Sequence, residues 1–96
     1  MKKKAVYIIS GRVQGVSFRY FTMRKARKLN LAGFVQNLPN GQVKAVAEGD
    51  ESDLEIFRKY LEEGPIFARV DSVSVDLLPP TNEFSDFTVT DSHLIP

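Results

Sequence analysis

Two short stretches of this 96-residue sequence carry residue types suited to binding an anion. The first, GRVQGVSFR at 11–19, has two glycines that let backbone N–H groups converge, and an arginine, Arg19, whose guanidinium fork matches phosphate or carboxylate. It follows an apolar run and precedes a helical pattern, so its amides could form an anion-binding nest at a helix N-terminus. It matches neither the Walker nor the dinucleotide glycine pattern. Alone, it also fits an ordinary strand-to-helix turn with a surface arginine.

The second stretch, GFVQN at 33–37, ends in an asparagine shortly before an Asn40-Gly41 pair. An asparagine near a hairpin usually serves the turn itself, but Asn40 already fills that role. The side-chain amide of Asn37 is therefore not needed for the turn and can bind another group. Since an amide accepts one hydrogen bond and donates another, it suits the orientation of a water molecule.

Composition and charge limit the chemistry available to these stretches. The sequence contains no cysteine, which excludes disulfides, thiolate metal sites and cysteine nucleophiles. Residues 1–47 contain ten Lys or Arg and no Asp or Glu, whereas residues 48–96 contain three basic residues and all twelve acidic ones. This asymmetry indicates either an anionic ligand, phosphate or nucleic acid, or charges that pair across the fold. The single histidine, His93, is expected to be a solvated tail residue.

No apolar run approaches the roughly 18 residues that a membrane span requires. The apolar stretch behind the lysines at 2–4 is also shorter than the roughly 7–15 residues of a secretory signal. We therefore expect a cytoplasmic protein without a membrane partner.

The hydrophobic patterns predict five strands and two helices. The strands are predicted at 5–10, 32–38, 42–48, 69–77 and 87–90. The first helix would begin at Phe18 with the Ser17 hydroxyl as its N-cap, and the second would begin after Asp50. The Asn40-Gly41 pair predicts a type I′ hairpin turn. The order βαββαβ predicts an α+β, ferredoxin-like sandwich in one domain, residues 1–96, with two helices on one face of a mostly antiparallel sheet and a short extra C-terminal strand.

In both stretches the chain resembles the acylphosphatase family. Residues 11–19 resemble that family's phosphate loop, and residues 33–37, followed by Gly41, Val43 and Gly49, resemble its second motif in residue type and spacing. The resemblance extends from the first strand to residues 84–87. It implies a ferredoxin-like α/β sandwich and a hydrolase that cleaves the carboxyl–phosphate bond of acyl phosphates to a carboxylate and inorganic phosphate.

The resemblance also assigns roles to individual residues. Arg19 matches the phosphate-binding catalytic arginine, and Asn37 matches the water-positioning asparagine. The anion cradle would be the loop backbone at Gln14, Gly15, Val16, Ser17 and Phe18.

The chemistry of an acyl phosphate agrees with this assignment. Its leaving group is a carboxylate that needs no protonation, so catalysis depends mainly on positioning and electrostatic stabilisation. No carboxylate precedes Glu48 and no nucleophile lies near the loop, which favours direct attack by a water held by Asn37. No carboxylate pair lies close to either motif, so we expect neither a metal nor a cofactor.

We expect a monomer that acts on a small-molecule acyl phosphate. Two alternatives stay open: a ferredoxin-like module that holds phosphate or carboxylate without turnover, and a nucleic-acid binder that uses the basic half of the chain.

Overall fold

The computed structural model describes residues 1–90, which form five strands and two helices. In chain order these are β1 (Lys2–Arg12), α1 (Phe18–Lys28), β2 (Ala32–Asn37), β3 (Val43–Asp50), α2 (Glu51–Glu63), β4 (Arg69–Leu78) and β5 (Phe87–Thr90). The predicted order of elements is confirmed, and His93 lies outside the described residues. Within residues 1–90, neither helix is long and apolar enough to cross a membrane.

The strands form one sheet in the order β4-β1-β3-β2-β5. β1 pairs antiparallel with both β3 and β4, β2 pairs antiparallel with β3, and β5 runs parallel to β2 at the edge. The ferredoxin-like fold, its mostly antiparallel sheet and its extra C-terminal strand are confirmed. Since β1 and β2 both run antiparallel to β3, they are parallel to each other, and their carboxyl ends lie at the same end of the sheet. The two predicted motifs, which follow β1 and close β2, therefore meet there.

Both helices pack on one face of the sheet, because alternate strand positions present apolar side chains to that face. Phe57 of α2 packs edge-on against Tyr7 of β1 and Phe87 of β5, with ring centroids 5.4 and 5.9 Å apart. Phe18 at the start of α1 is only 1% exposed, as its helical spacing predicts. The fully buried strand residues of this layer are Ala5, Tyr7, Ile9, Val35, Val43, Ala45, Ala47 and Phe87.

β1 begins three residues earlier than predicted, because residues 2–4 pair with residues 48–50 of β3. The basic start of the chain thereby lies beside the first acidic residues. Lys4 also forms an ion pair with Glu83 at 2.8 Å. Part of the charge asymmetry is therefore pairing across the fold, and only the remaining basic residues are candidates for an anion.

Residues 79–86, here called the crossing segment, connect β4 at one edge of the sheet to β5 at the other. The Glu48 carboxylate, only 3% exposed, accepts hydrogen bonds from the Thr81 N–H (2.6 Å), the Thr81 hydroxyl (2.8 Å) and the Asn82 N–H (2.8 Å). Burial alone would raise the pKa of Glu48, but these hydrogen bonds, with Lys2 nearby, outweigh it and lower the pKa. A buried carboxylate thus fixes the segment that delivers β5.

Candidate active site

The loop between β1 and α1 contains two residues with positive φ, a feature of anion-binding nests. Gly15 and Ser17 both have positive φ, at 75° and 62°, and Val16 between them does not. Alternation of left- and right-handed conformations turns successive N–H groups toward one point. Glycine suits position 15 because residues with a Cβ rarely adopt this conformation.

The prediction that the Ser17 hydroxyl caps α1 is wrong. Ser17 occupies the N-cap position, but its backbone is left-handed (φ 62°, ψ 24°) and its side chain makes no capping hydrogen bond. A residue whose side chain caps a helix typically has an extended backbone. The N–H groups of the first turn have no acceptor within the helix and carry the positive end of its dipole. They are therefore available to an anion in the loop.

The side chain of Gln14 joins this loop to the β2–β3 hairpin. Its Nε2 donates to the carbonyl oxygens of Leu38 and Gln42, at 2.8 Å each. Gln42 in turn donates from its own Nε2 to the Ser10 hydroxyl at 2.7 Å. These three bonds hold the hairpin against the end of β1 and against the loop.

The hairpin is not the predicted type I′ turn, since Gly41 has positive φ (94°) and Asn40 does not. The Gly41 N–H donates to the Leu38 carbonyl at 3.2 Å, and the Leu38 N–H donates to the Gln42 carbonyl at 2.8 Å. This is a three-residue loop with a left-handed glycine, a form that suits Pro39 because proline favours the second position of a type I turn. The Asn40 side chain accepts from the Gln42 N–H at 3.0 Å, so its predicted turn role is confirmed.

Asn37 closes β2, opposite Val43 of β3, and its amide does not serve the turn. Within the described part of the chain, its Oδ1 is buried and has no hydrogen-bond partner. A buried acceptor without a partner is unfavourable by about 1–3 kcal/mol. Such an atom indicates that a water or a ligand group belongs beside it.

Arg19 lies in the first turn of α1 and is half-buried. Its Nη1 donates to the carbonyl oxygen of Thr90 at 3.1 Å. β5 therefore restrains the guanidinium from the edge of the sheet. The remaining N–H groups of the fork can still bind an anion.

The loop, Arg19 and Asn37 all line one cavity of about 290 Å³. Its lining comprises Val13, Gly15, Ser17, Phe18, Arg19, Tyr20, Asn37 and Val89. Of the residues predicted for the site, Gln14 and Val16 do not line it, since Gln14 bonds the hairpin and Val16 packs against the core. None of the lining residues is acidic, so Arg19 and the loop amides dominate its electrostatics. Among residues 1–90, no cluster of three or more His, Cys, Asp and Glu side chains could hold a metal.

The sequence did not reveal Val13, Tyr20 or Val89 as lining residues. Tyr20 could have been suspected as an aromatic residue directly after Arg19, but Val89 reaches the site only through the parallel pairing of β5 with β2. No local signal in the sequence carries that pairing.

A larger cavity of about 350 Å³ lies between α2 and β4, away from both motifs. Its charged lining residues are Glu51, Glu55 and Arg58, and Tyr7 also lines it. Arg58 already pairs with Glu55 at 3.5 Å and with Glu62 at 3.3 Å, so the two lining carboxylates would repel an anion. Burial, followed by the charge of Glu55, raises the pKa of Tyr7, so that phenol stays neutral and donates to the Leu54 carbonyl at 3.0 Å. This cavity is therefore a poor candidate for the anion site.

Comparison with known proteins agrees with the resemblance in the two motifs. The acylphosphatase family model matches residues 5–89. A Marinobacter nauticus protein named acylphosphatase is 48% identical, covering 86% of this chain and 90% of that protein. Another, from Thermus thermophilus, is 47% identical over 75% of this chain and 82% of its own length. The crystal structure of acylphosphatase from Bacillus subtilis superposes with a TM-score of 0.89 at 37% identity, covering 94% of this chain and 99% of that one. The chain belongs to the acylphosphatase family of hydrolases.

Proposed function

We propose that this chain hydrolyses acyl phosphates in the 290 Å³ cavity, releasing a carboxylate and inorganic phosphate. The observation that carries the proposal is the meeting, in one cavity without acidic residues, of an anion nest, a guanidinium and a buried amide oxygen without a partner. Family membership supports the same reaction.

The phosphoryl group binds to the backbone N–H groups of residues 14–18 and to the guanidinium of Arg19. The nest and the first turn of α1 supply converging donors, and Arg19 adds a charged fork. Charge on the equatorial oxygens of the transition state strengthens these bonds. The cradle therefore stabilises the transition state more than the bound substrate.

Asn37 holds the attacking water through its free Oδ1. The oxygen of that water bonds to phosphorus while the bond from phosphorus to the acyl oxygen breaks, and the electron pair leaves with the carboxylate. A phosphate oxygen of the substrate accepts the proton of the water. No side chain that lines the cavity is a carboxylate, imidazole or thiol, so the Ser17 hydroxyl has no base among the lining residues to activate it, which supports direct attack by water over a phospho-enzyme.

Hydrolysis of benzoyl phosphate by the purified chain tests the proposal. Arg19→Ala should lose both turnover and inhibition by inorganic phosphate. Asn37→Ala should lower kcat by about 10²–10³-fold, as expected when one preorganised polar group is removed. Its inhibition constant for phosphate should stay within about twofold of wild type, since the cradle is untouched.

Two control variants match these changes in residue type or position. Asn40→Ala removes an asparagine of the same hairpin that serves only the turn, and Lys28→Ala removes an exposed cation of the same helix. Both should keep kcat within about twofold of wild type. Near wild-type kcat in Asn37→Ala would show that this residue does not position the water.

A non-catalytic module that only holds phosphate is the second candidate, and it predicts phosphate binding without turnover. We also propose that the chain is a cytoplasmic monomer without a nucleic-acid partner. Sedimentation equilibrium tests the monomer, and a nucleic-acid binder would show steeply salt-dependent binding to RNA or DNA.

A further inference from the structure

We propose that Tyr20 and Val89 form a subsite for the acyl group, which makes aromatic and other apolar acyl phosphates preferred over short ones. This inference rests on the proposed function, since it concerns the non-phosphate part of the same substrate. It adds a determinant of specificity that neither sequence motif contains.

The exposure of these two side chains supports the subsite. Tyr20 is 59% exposed and Val89 is 39% exposed, although both are large and apolar in their main part. Exposed apolar residues are ordinary when they are scattered singly. Here both border the cavity that contains Arg19 and Asn37. A ligand in that cavity would cover apolar surface that water now contacts, which favours an apolar group.

The order of the strands places Val89 away from the anion nest. The loop follows β1, Asn37 closes β2, and Val89 lies on β5, on the other side of β2 from β1. The cavity lining runs from Gly15 and Ser17 of the nest to Val89 of β5, so an acyl group attached to a phosphate in the nest would lie against Val89.

Both walls of the subsite are held in place. The guanidinium of Arg24, one turn further along α1, lies 5.7 Å from the centroid of the Tyr20 ring. A cation–π contact of this kind restrains the ring without burying it. The bond from Arg19 to the Thr90 carbonyl ties β5 to α1 directly beside Val89. Because these contacts already restrain Tyr20 and Val89, less conformational entropy is lost when the substrate binds.

The test compares benzoyl phosphate with acetyl phosphate, which share the reacting group and differ in the acyl group. In wild type, kcat/KM should favour benzoyl phosphate. Tyr20→Ala and Val89→Thr should each reduce that preference about 5–10-fold, mainly through a higher KM for benzoyl phosphate. Val89→Thr keeps the branched shape at Cβ and so preserves the strand. Turnover of acetyl phosphate should fall less than turnover of benzoyl phosphate, so the ratio of the two kcat/KM values is the readout.

Phe67→Ala is the matched control, because Phe67 is 78% exposed and does not line the cavity. It should leave the preference unchanged. Equal losses for both substrates in Tyr20→Ala and Val89→Thr would overturn the subsite and indicate a general structural effect. Wild type without a preference for benzoyl phosphate would overturn it as well.

A binding measurement separates failure of the subsite from failure of the proposed function. Phenacylphosphonate and acetonylphosphonate replace the bridging oxygen by a methylene and cannot be hydrolysed at that bond. Tighter binding of phenacylphosphonate, lost in Tyr20→Ala, would support the subsite even if the chain hydrolysed neither acyl phosphate. Equal affinity of wild type for both phosphonates would reject the subsite, whatever the turnover.

Discussion

Replacing Gln14 with methionine should loosen the contact between the loop at 11–19 and the β2–β3 hairpin, without removing any side chain that lines the cavity. The Gln14 amide is the direct link between the phosphate loop and the hairpin, through its two 2.8 Å bonds to the carbonyls of Leu38 and Gln42. Methionine has a similar length and flexibility but no donor. The backbone N–H of residue 14, which belongs to the cradle, is retained.

The loss of stability follows from the bonds that disappear. A hydrogen bond contributes about 0.5–1.5 kcal/mol net, so two contribute about 1–3 kcal/mol. Neither carbonyl is left without a partner, because Leu38 still accepts from Gly41 and Gln42 still accepts from Leu38. The lower part of the range, about 1–2 kcal/mol, therefore applies. For a domain of this size that corresponds to a fall in Tm of roughly 4–16 °C.

The loss of activity should be larger than the loss of stability suggests. Without the Gln14 bonds, Asn37 is no longer held at a fixed distance from the loop. A misplacement of about 1 Å can lower a rate by about 10²-fold. We expect kcat on benzoyl phosphate to fall about 10–100-fold. Inhibition by phosphate should change less than about threefold, since the cradle and Arg19 remain.

The assay measures kcat, KM, phosphate inhibition and Tm at a temperature where every variant is folded. Gln42→Met is the matched control. It removes the bond to the Ser10 hydroxyl and the bond from the Asn40 Nδ2, but the Gln14 bonds persist because they end on backbone carbonyls. It should lower Tm while kcat stays within about threefold of wild type. The double variant Gln14→Met/Asn37→Ala should be no slower than Asn37→Ala alone, since the two changes act on the same water. A fall in Tm in Gln14→Met with kcat near wild type, or an equal loss of kcat in Gln42→Met, would refute the coupling.

The other predictions concern stability, acid sensitivity and the bond that breaks. Glu48→Gln should lower the free energy of unfolding by about 2–4 kcal/mol in urea, because an amide cannot accept all the bonds from the crossing segment. Those bonds lower the pKa of Glu48, so its contribution to stability is complete above the unfolded pKa of about 4.3 and is lost as pH falls through the folded pKa. The Tm of wild type should therefore fall over this acid range, and Glu48→Gln should make that fall smaller. Gly33→Ala should lose at least about 3 kcal/mol or fail to fold, because its Cβ would overlap the Val46 carbonyl, whereas Gly41→Ala, with open space around a φ of 94°, should lose about 1 kcal/mol. In ¹⁸O-labelled water, label should appear in phosphate, and label in the carboxylate would contradict attack at phosphorus.

The fold was readable from the sequence because its signals are local. Alternating apolar residues mark the strands, and the second helix is framed by Asp50, whose side chain accepts from the Ser52 N–H, and by Gly64, which ends it with a φ of 70°. The first helix ends at Lys28, and Asn30 follows with a left-handed backbone; the bond from the Leu31 N–H to the Ala26 carbonyl completes a Schellman motif. Each of these features needs only a few neighbouring residues.

The missed features depend on contacts between distant parts of the chain. Gln14 reaches carbonyls 24 and 28 residues away, and β5 supplies both Val89 and the acceptor for Arg19, 71 residues from that arginine. The extension of β1 through Lys4 is fixed by β3. Local propensity cannot indicate these contacts, since they exist only after the sheet has assembled.

The wrong prediction at Ser17 is itself informative about the site. A serine before a helix would ordinarily cap it, and a left-handed backbone at a residue with a Cβ is unfavourable by about 1–2 kcal/mol. The Oδ1 of Asn37 is buried and has no hydrogen-bond partner within residues 1–90, although an asparagine beside a hairpin ordinarily bonds to the turn. Ser17 and Asn37, the two residues that depart from these local rules, line the same cavity as Gly15, which also has positive φ. Strain retained at one place indicates a function there, because surrounding contacts must hold it against relaxation. In this fold, the Gln14 bonds and the link from Arg19 to β5 provide those contacts.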